Sequence, residues 1–467
     1  MGEILDIQTV VSVLVNELSL QKQQIEKLSK ENVELQTANA ELRERLLRYE
    51  HPKDSHNSNL PSSKNPIGTK KKVNLREKSE RKSGGQPGHP GKSLEMQIPN
   101  QVEILSPCYC SHCGCDLSDI AGEEVERRQQ IDLPPIHSII TEYRKVRKRC
   151  RCSHENEIEF PATVSAPVCY GANVQAIVTY LSVCQHIPYE RMTCMLKEMY
   201  GISLSEGSIK NILDRMEQRL TPAYEMIRER IAASPVVGAD ETGTSINGHT
   251  AWAWALQTEL LTYITAGHSR KKEVFDAIVP NGMPQSILVS DCYSSYFSAN
   301  VKDHQICTAH ILRELIYLSE LYRQHPWSQE MAALIREAIH LKKTTCGEID
   351  DTSLQQRLQT LLNQGIDQSY KKIQTLQKRL VKYRDYLFLF LKNEKVPADN
   401  NASERAIRVF KIKLKVSGFF KSIAGAQRFA LLHSIADTTR KNNSSPLLVF
   451  QLAANCQTMK PPVANTS

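Results

Sequence analysis

Two aspartates in this sequence stand where a carboxylate is costly to bury. Asp240 lies within the extended segment VVGADETGTSI, and Asp291 directly follows the apolar segment SILVS. A carboxylate in such surroundings is unfavourable unless it faces a cation or a hydrogen-bonded site. If the two segments form neighbouring strands, the pair can share a divalent metal ion. A third carboxylate would then complete two metal sites about 4 Å apart for in-line phosphodiester chemistry.

The third acid must come from a later helix, and Glu404 is the candidate. The segment NNASERAIRVFKIKLK predicts a helix from about Asn401. The basic residues expected on the same side of that helix as Glu404 are Arg408, Lys411 and Lys415. Such a face suits an acid that meets a metal ion beside a DNA backbone. Asn401 and Glu404 also match a capping box, in which the carboxylate would only bond the backbone amide of Asn401. The local sequence favours neither role over the other.

Two further residues lie close to these acids in the sequence. Glu241 follows Asp240 directly, so strand alternation points it to the opposite face and ranks it below its neighbour. The stretch His310–Arg313, in the segment CTAHILREL, begins a helix just after a fifth candidate strand. This stretch is predicted either to add a polar or DNA-contacting group near the metals or to hold a buried structural histidine.

The elements that would position the acids follow from a change of hydrophobic period after Pro235. The segments VVGADETGTSI, TAWAWALQT and LLTYITAG predict three antiparallel strands. A helix from about Lys271 to Val279 precedes SILVSD, whose nearly continuous apolar run is typical of a strand in the middle of a sheet. This order resembles the start of a ribonuclease H-like fold, in which the first and fourth strands lie side by side at the sheet centre. Residues 326–395 are rich in Gln, Lys and Leu at helical spacing and predict a helical insertion.

The N-terminal segment predicts self-association. Residues 11–49 carry a heptad repeat with apolar residues at both core positions and Asn32 and Asn39 at one of them. Such a repeat favours a two-stranded coiled coil of fixed register, and hence a homodimer or higher oligomer. The alternative is a long helix packed on its own protein.

A basic linker is expected next, because residues 51–100 are rich in Pro, Gly, Ser and Asn. Between Lys64 and Lys92 there are nine basic residues and two acids. Two further blocks, from Arg144 to Arg151 and from Arg405 to Arg428, contain basic residues and no acid. Three blocks of one sign favour a nucleic-acid partner. The predicted DNA contacts are Lys70, Lys71, Lys72, Arg81, Lys82, Lys210, Arg405, Arg408, Lys411 and Lys415.

Six of the thirteen cysteines fall into two clusters, PCYCSHCGCDL and KRCRCSH. The C-x2-C-G turn of Cys110 and Cys113 is typical of a zinc knuckle. The second half of the site would be Cys150 and Cys152, or one of these with His154. We predict structural zinc, because enough thiolates are present to close the tetrahedron; unpaired thiols are the alternative.

A helix-turn-helix pattern is predicted after the cysteines. Helices at about 172–184 and 189–200 are followed by Gly201 and by a third helix capped by Ser203 or Ser205 and running through Leu213. Any two short helices can produce the same pattern. No run of about 18 apolar residues occurs, and the N-terminus lacks a leader pattern, so a cytoplasmic protein without a membrane span is expected.

The order of these features is similar to that in the DDE transposases of the insertion sequence 66 family. The motifs that carry the resemblance are GGQPGHPG, CSHCG, DET, SDCYSSY, CTAH and NNASERAIR. The resemblance implies that the family's acidic triad falls on Asp240, Asp291 and Glu404. It also implies a ribonuclease H-like core, Mg²⁺ or Mn²⁺, and double-stranded DNA at the terminal inverted repeats of a bacterial element. Accessory proteins of that element would be further partners.

Together these features predict a multidomain α+β protein that cuts and joins DNA. The rivals are a ribonuclease H-like nuclease or resolvase that cuts without joining, and a zinc-containing DNA-binding regulator without catalysis. The predicted segments are a coiled coil (1–50), a basic flexible linker (51–100), a zinc-binding domain (101–165), a helical DNA-binding region (166–230), a catalytic core (231–325 and 396–440) around a helical insertion (326–395), and a C-terminal tail (441–467).

Overall fold

A computed structural model describes residues 7–50, 53, 94–134, 136–161, 163–164, 166–345 and 347–455. The chain divides into two compact units, one of residues 1–72, 143–194 and 204–467, the other of residues 73–142 and 195–203. The linker residues predicted to bind DNA, Lys70, Lys71, Lys72, Arg81 and Lys82, lie outside the described residues. Within the described part of the chain, no helix has both the length and the hydropathy needed to cross a bilayer.

The predicted N-terminal helix is present as α1, Ile7–Glu50. Its heptad core residues are exposed: 64% of Leu18, 58% of Leu28 and 67% of Leu35 is open to solvent. The alternative of a helix packed on its own protein is therefore wrong for these positions. Pairing with a second helix stays a prediction.

The cysteine-bearing segments contain little regular structure. Residues 94–134 form extended stretches and turns, and a bridge between Tyr109 and Asp116 closes the first cysteine turn. In the other unit, β1 (Lys148–Arg149) and β2 (Glu155–Asn156) form a short antiparallel hairpin around the second cysteine turn.

Three helices follow, α2 (Ala172–Val183), α3 (Tyr189–Tyr200) and α4 (Glu206–Ala232). Ser205 caps α4, because its hydroxyl oxygen accepts a hydrogen bond from the amide of Ser208 at 3.1 Å. The prediction that this helix ends near Leu213 is wrong, since it continues for five more turns. Its apolar stripe continues at spacings of three or four residues and packs against α2 and the sheet. The buried residues of the added turns are Met216, Leu220, Ala223, Tyr224, Ile227 and Ile231.

A five-stranded mixed sheet forms the centre of this unit. Its elements are β3 (Val236–Ile246), β4 (His249–Gln257), β5 (Thr262–Gly267), α5 (Lys272–Ile278), β6 (Met283–Ser290), α6 (Ser294–Phe297) and β7 (Val301–Ile306). The strand order is β5-β4-β3-β6-β7, so the first and fourth strands are neighbours, as predicted. They run parallel, with Gly238 opposite Val289. Asn247 and Gly248, with φ of 48° and 80°, make the tight turn between β3 and β4.

The predicted helical insertion is present between the strands and the last acid. Its core is continuous with β6 and β7 through Ile287, Val289 and Ile306. Leu354, Leu358 and Leu362 are buried, as their spacing predicts. Helix α7 (Thr308–Leu321) precedes the insertion, whose helices are α8 (Trp327–Thr344), α9 (Thr352–Asn363), α10 (Lys371–Lys382) and α11 (Leu389–Lys392).

The C-terminal helices are α12 (Asn401–Ser417), α13 (Ile423–Lys441) and α14 (Pro446–Ala454). The first two cover the other half of the sheet, and α14 packs on α2, α4 and α13. Helix α12 packs on β3 and β4, and α13 packs on β5. Along β5, the hydroxyls of Thr438 and Ser434 accept the amides of Thr262 at 3.0 Å and Ile264 at 2.8 Å. Residues 396–440 thus complete the sheet's packing although they are distant from it in sequence.

Candidate active site

Asp240 and Asp291 come from the two central strands. Gly238 pairs with Val289, and each aspartate lies two residues further along its own strand direction. Because the strands are parallel, residues at equal distance beyond a paired position lie side by side on one face. The register therefore brings the two acids to the same end of the sheet, as the segment order predicted.

Helix α12 reaches this end because Gly238 leaves room for its first turn. A Cβ on Gly238 would lie 2.7 Å from Oδ1 of Asn400 and 2.8 Å from Nε2 of Gln257. Asn400 Nδ2 donates to the carbonyl oxygen of Ala239 at 2.6 Å, one residue before Asp240. The start of α12 is thereby fastened to β3, with Glu404 one turn further along the helix.

Glu404 does not fill the capping role. The amide of Asn401 donates to Oδ1 of Asp399 at 3.0 Å, so the capping interaction is made by another acid. The Glu404 carboxylate accepts two hydrogen bonds from Arg313, at 3.1 Å and 3.3 Å. Nε2 of His310 lies 3.6 Å from the same carboxylate. The side chain of Glu404 is 19% exposed and faces α7 rather than its own helix start.

The acids experience one another's charge. Burial raises the pKa of Asp240 well above its usual value, and repulsion from Glu241, Asp291 and Glu404 raises it further. Burial also raises the pKa of Asp291, against opposing effects of the Tyr293 amide and of two arginines. A cluster of this kind holds an excess of negative charge that a hard cation with oxygen ligands would neutralise. Its chemistry fits Mg²⁺ or Mn²⁺.

As they stand, no three His, Cys, Asp or Glu side chains among the described residues form a group that could hold a metal ion. The acids affect one another's pKa, but their carboxylates are not close enough together to form such a group. The described cysteines do not form one either.

Alternation ranks Glu241 below Asp240, yet the charge of Glu241 acts on Asp240 and on His310, so this acid also lies near the candidate site. Its side chain is 2% exposed and bonded by Arg270 and by the hydroxyl of Tyr296. Burial raises the pKa of this carboxyl, and Asp291 adds to that effect, while Tyr296 and Arg270 oppose it. Sequence reasoning missed these partners, because Arg270 stands in a segment between elements with no periodic signal.

His310 and Arg313 form a pair on α7 that faces Glu404. Burial lowers the pKa of His310, although Glu404 opposes this. Its Nδ1 is buried and has no hydrogen-bond partner among the described residues. His310 is therefore a largely buried side chain that also lies beside an acid, so it has features of both predicted alternatives. Arg313 ends the stretch that was predicted to contribute a polar group near the metals, and its spacing of three residues from His310 places both on one helical face.

Both cysteine turns have backbone amides arranged to stabilise a thiolate. The amide of Cys113, and then that of His112, lowers the pKa of Cys110. Gly114 has a φ of +75°, which lets the chain turn back so that its amide donates to the Cys110 carbonyl at 2.8 Å. In the second turn the amide of Cys152 lowers the pKa of Cys150. Each turn thus has a backbone that lowers the pKa of its first thiol, Cys110 or Cys150.

The candidate DNA contacts on α12 have different environments. Arg405, Arg408 and Lys415 are exposed. Lys411 differs from the expectation, because its ammonium donates to the carbonyl oxygen of Gly243 in β3. The reason is geometric: seven residues is nearly two turns, so Lys411 lies on the same side of α12 as Glu404 and there reaches β3. On α4, Lys210 is exposed and paired with Asp214 at 2.6 Å.

The acids and the elements that carry them lie within a region shared with a known family. The sequence model described as "Transposase IS66 family" matches residues 167–428, more than half of the chain. The chain is also similar to the uncharacterized protein y4hP of Sinorhizobium fredii (strain NBRC 101917 / NGR234). The two are 21% identical over an alignment of 397 positions that covers 74% of this chain and 70% of that protein.

Proposed function

The chain belongs to the IS66 family of transposases, and from this membership we propose a specific reaction. It cleaves DNA at the terminal inverted repeats of an insertion sequence and transfers the 3′-hydroxyl ends into target DNA. The enzyme works in the bacterial cytoplasm, where accessory proteins of the same element are further partners. Its core is a ribonuclease H-like sheet, for which the order β5-β4-β3-β6-β7 is the support.

The observation that carries this proposal is the parallel register that brings Asp240 and Asp291 to one end of the sheet, where the start of α12 is fastened beside Asp240. Asp240, Asp291 and Glu404 come from β3, the end of β6 and α12, and each of the other two raises the pKa of Asp240 by repulsion. These carboxylates would hold Mg²⁺ or Mn²⁺. When bound, such ions activate water or a 3′-hydroxyl and stabilise the charge on the leaving oxygen.

The chain's own residues orient the carboxylates. Arg313 and His310 hold Glu404 from α7, and the amide of Tyr293 donates to Oδ1 of Asp291 at 2.9 Å. Preorganised acids lose little orientational freedom when the DNA and cations arrive. The reaction needs no serine or tyrosine nucleophile, since water and then the DNA 3′-hydroxyl attack phosphorus directly.

Three other parts of the chain have proposed roles in holding DNA and partners. Cys110 and Cys113 in one turn, and Cys150 and Cys152 (or His154) in the other, would bind structural Zn²⁺. Helix α1 would pair with a second copy to hold two DNA ends together. The exposed basic residues of α12, Lys210 in the helical region and the linker lysines and arginines would bind phosphates.

A strand-transfer assay tests the proposal. Purified protein, Mg²⁺, inverted-repeat DNA and target DNA should give a joined product, and Asp291→Asn should give none while still binding the end DNA. Cleavage without joining would support a nuclease or resolvase instead. DNA binding with no cleavage by the wild type, unchanged in Asp291→Asn, would support a regulator.

A further inference from the structure

Arg270 is held rigidly beside the acidic centre. Its Nε donates to Oε1 of Glu241 at 2.8 Å, and its Nη2 bonds the same carboxylate. The centre of the guanidinium lies 5.0 Å from the ring centroid of Trp252 and 3.9 Å from that of Tyr293. A guanidinium that lies against aromatic rings and donates twice to one carboxylate oxygen has little freedom to move.

Tyr293 connects this arginine to Asp291. The Tyr293 hydroxyl donates to the backbone carbonyl of Arg270 at 2.6 Å. The Tyr293 amide donates to Oδ1 of Asp291 at 2.9 Å, and that bond favours the ionised form of the carboxyl. The residue that stacks on the guanidinium therefore also fixes one carboxylate oxygen of the second acid.

The links form a continuous path from β3 to the end of β6. Glu241 follows Asp240 in β3, and Arg270 precedes α5. We propose that Glu241, Arg270, Trp252 and Tyr293 form a positioning clamp that holds Asp291 in the orientation required to bind a divalent cation with Asp240. In this arrangement Glu241 is a partner of Arg270 and not a fourth ligand. The inference rests on the proposed function, since it concerns the same acids.

Two conservative substitutions weaken the clamp without removing its bulk. Arg270→Lys keeps the charge but loses the paired donation from Nε and Nη2 and the planar stacking. Tyr293→Phe keeps the ring and loses only the tether to the Arg270 carbonyl. Partners that orient metal ligands typically change metal affinity or activity by about 10- to 100-fold when mutated. We expect about a 10-fold weaker Mn²⁺ affinity for Arg270→Lys, and a smaller loss for Tyr293→Phe.

The primary readout is Mn²⁺ binding to the full chain without DNA, followed by electron paramagnetic resonance. The second is the Mg²⁺ concentration that gives half-maximal cleavage of end DNA, which should rise by the same factor while the DNA dissociation constant stays constant. Arg357→Lys, in an exposed pair with Glu337 at 2.8 Å, is the arginine control. Tyr263→Phe, whose ring stacks on Tyr224, is the tyrosine control. Both should match the wild type.

Unchanged Mn²⁺ affinity in both clamp variants overturns the clamp. If DNA affinity falls instead, Arg270 contacts DNA and does not position Asp291. A lower melting temperature with full Mn²⁺ affinity shows a purely structural role and also overturns it. If the wild type binds no Mn²⁺ and cleaves no DNA, the proposed function is wrong as well. If the wild type binds Mn²⁺ and cleaves DNA, and both clamp variants bind Mn²⁺ as the wild type does, only the clamp is wrong.

Discussion

Glu404 and Arg313 are 91 positions apart in the chain and form a two-point ion pair, Nη1 to Oε1 at 3.1 Å and Nη2 to Oε2 at 3.3 Å. Helix α12 contributes the carboxylate, and helix α7 contributes the guanidinium. A forked contact of this kind fixes the plane of the carboxylate as well as its position. It joins the two helices that border the helical insertion, so α7 sets where the third acid lies.

The first prediction concerns the charge of Glu404. Glu404→Gln should reduce cleavage and strand transfer by more than about 100-fold, because an amide cannot supply a negative ligand to a divalent cation. The amide still fits the space between Arg313 and His310, so end-DNA affinity should stay within about 2-fold. Quantitative cleavage and binding assays on the same protein check both values. Retention of full strand transfer would remove Glu404 from the active site.

Local sequence alone does not decide the role of Glu404. Asn401 and Glu404 match the capping-box pattern, but the hydrogen bond from the Asn401 amide is accepted by Asp399. The competing partner, Arg313, belongs to another helix, and no local rule reveals such a pairing. In contrast, the strands were predictable because alternation and apolar runs are local signals, and the positions of Asp240 and Asp291 depend only on strand order.

The clamp around Arg270 illustrates the same limit. Arg270 stands between β5 and α5, and its environment is made by side chains from β3, β4 and the segment after β6. Sequence periodicity describes which face of an element is apolar, not which residues of other elements meet there. The length of α4 was underestimated for a related reason: Gly, Ser and Pro suggest breaks, whereas tertiary packing sustains the helix through Pro222.

A second prediction is that the acidic centre destabilises the fold. Asp240→Asn removes one charge from a buried cluster of like charges and should raise the free energy of unfolding by roughly 2 kcal/mol without divalent cation. Mg²⁺ should raise the melting temperature of the wild type more than that of the variant, since ligands stabilise the state that binds them. Thermal unfolding with and without Mg²⁺ measures both effects.

Asp214→Asn is the matched control for that experiment. Burial raises the pKa of Asp214, but its pairs with Lys210 and Arg428 outweigh this and lower it overall. Loss of this charge should therefore lower stability. A destabilised Asp240→Asn would contradict the account of the acidic centre as a strained cluster.

The third prediction concerns pH and Lys413. Burial lowers the pKa of Lys413 to about 8, from 10.5. Between these values the unfolded chain binds a proton that the folded chain does not, so stability rises with pH there. Below about pH 8 the folded protein carries the full cost of the buried charge. Lys413→Met should therefore be more stable than the wild type by roughly 2–3 kcal/mol at pH 7, and the gap should shrink as pH rises from 8 toward 10.5.

Urea unfolding of both proteins at several pH values measures this gap, because other titrations cancel in the difference. Lys415→Met, on the exposed end of α12, provides a control whose difference from wild type should not vary with pH over this range. A gap that stays constant between pH 7 and 10 for Lys413→Met would show that its ammonium is not buried at a cost.

A fourth prediction separates two basic residues of α12 that sequence treats alike. Arg408 is exposed, so Arg408→Ala should weaken DNA binding and reduce the slope of log affinity against log salt by about 0.9. Lys411 bonds the Gly243 carbonyl, so Lys411→Met should lower the melting temperature and leave that slope unchanged. Salt titrations of end-DNA binding and thermal unfolding distinguish them. If Lys411→Met reduces the salt slope and Arg408→Ala leaves it unchanged, Lys411 faces the DNA.

The fifth prediction tests the exposed seam of α1. Leu28→Asp places a charge at a heptad core position and should convert the oligomer to a monomer at micromolar concentration. Gln23→Asp adds the same charge at a position outside the seam and should leave the oligomer intact. Sedimentation velocity over a range of concentrations gives the mass of each. If Leu28→Asp sediments like the wild type, α1 does not mediate self-association.

The hydroxyls of Thr438 and Ser434 protect the edge strand β5 against aggregation. An edge strand with unpaired amides is a template on which strands of other molecules add, which is a common start of aggregation. Along β5 the amides of Thr262 and Ile264 are already taken by side chains of α13. Helix α13 therefore leaves these two amides of the β5 edge unable to pair with a strand of another molecule.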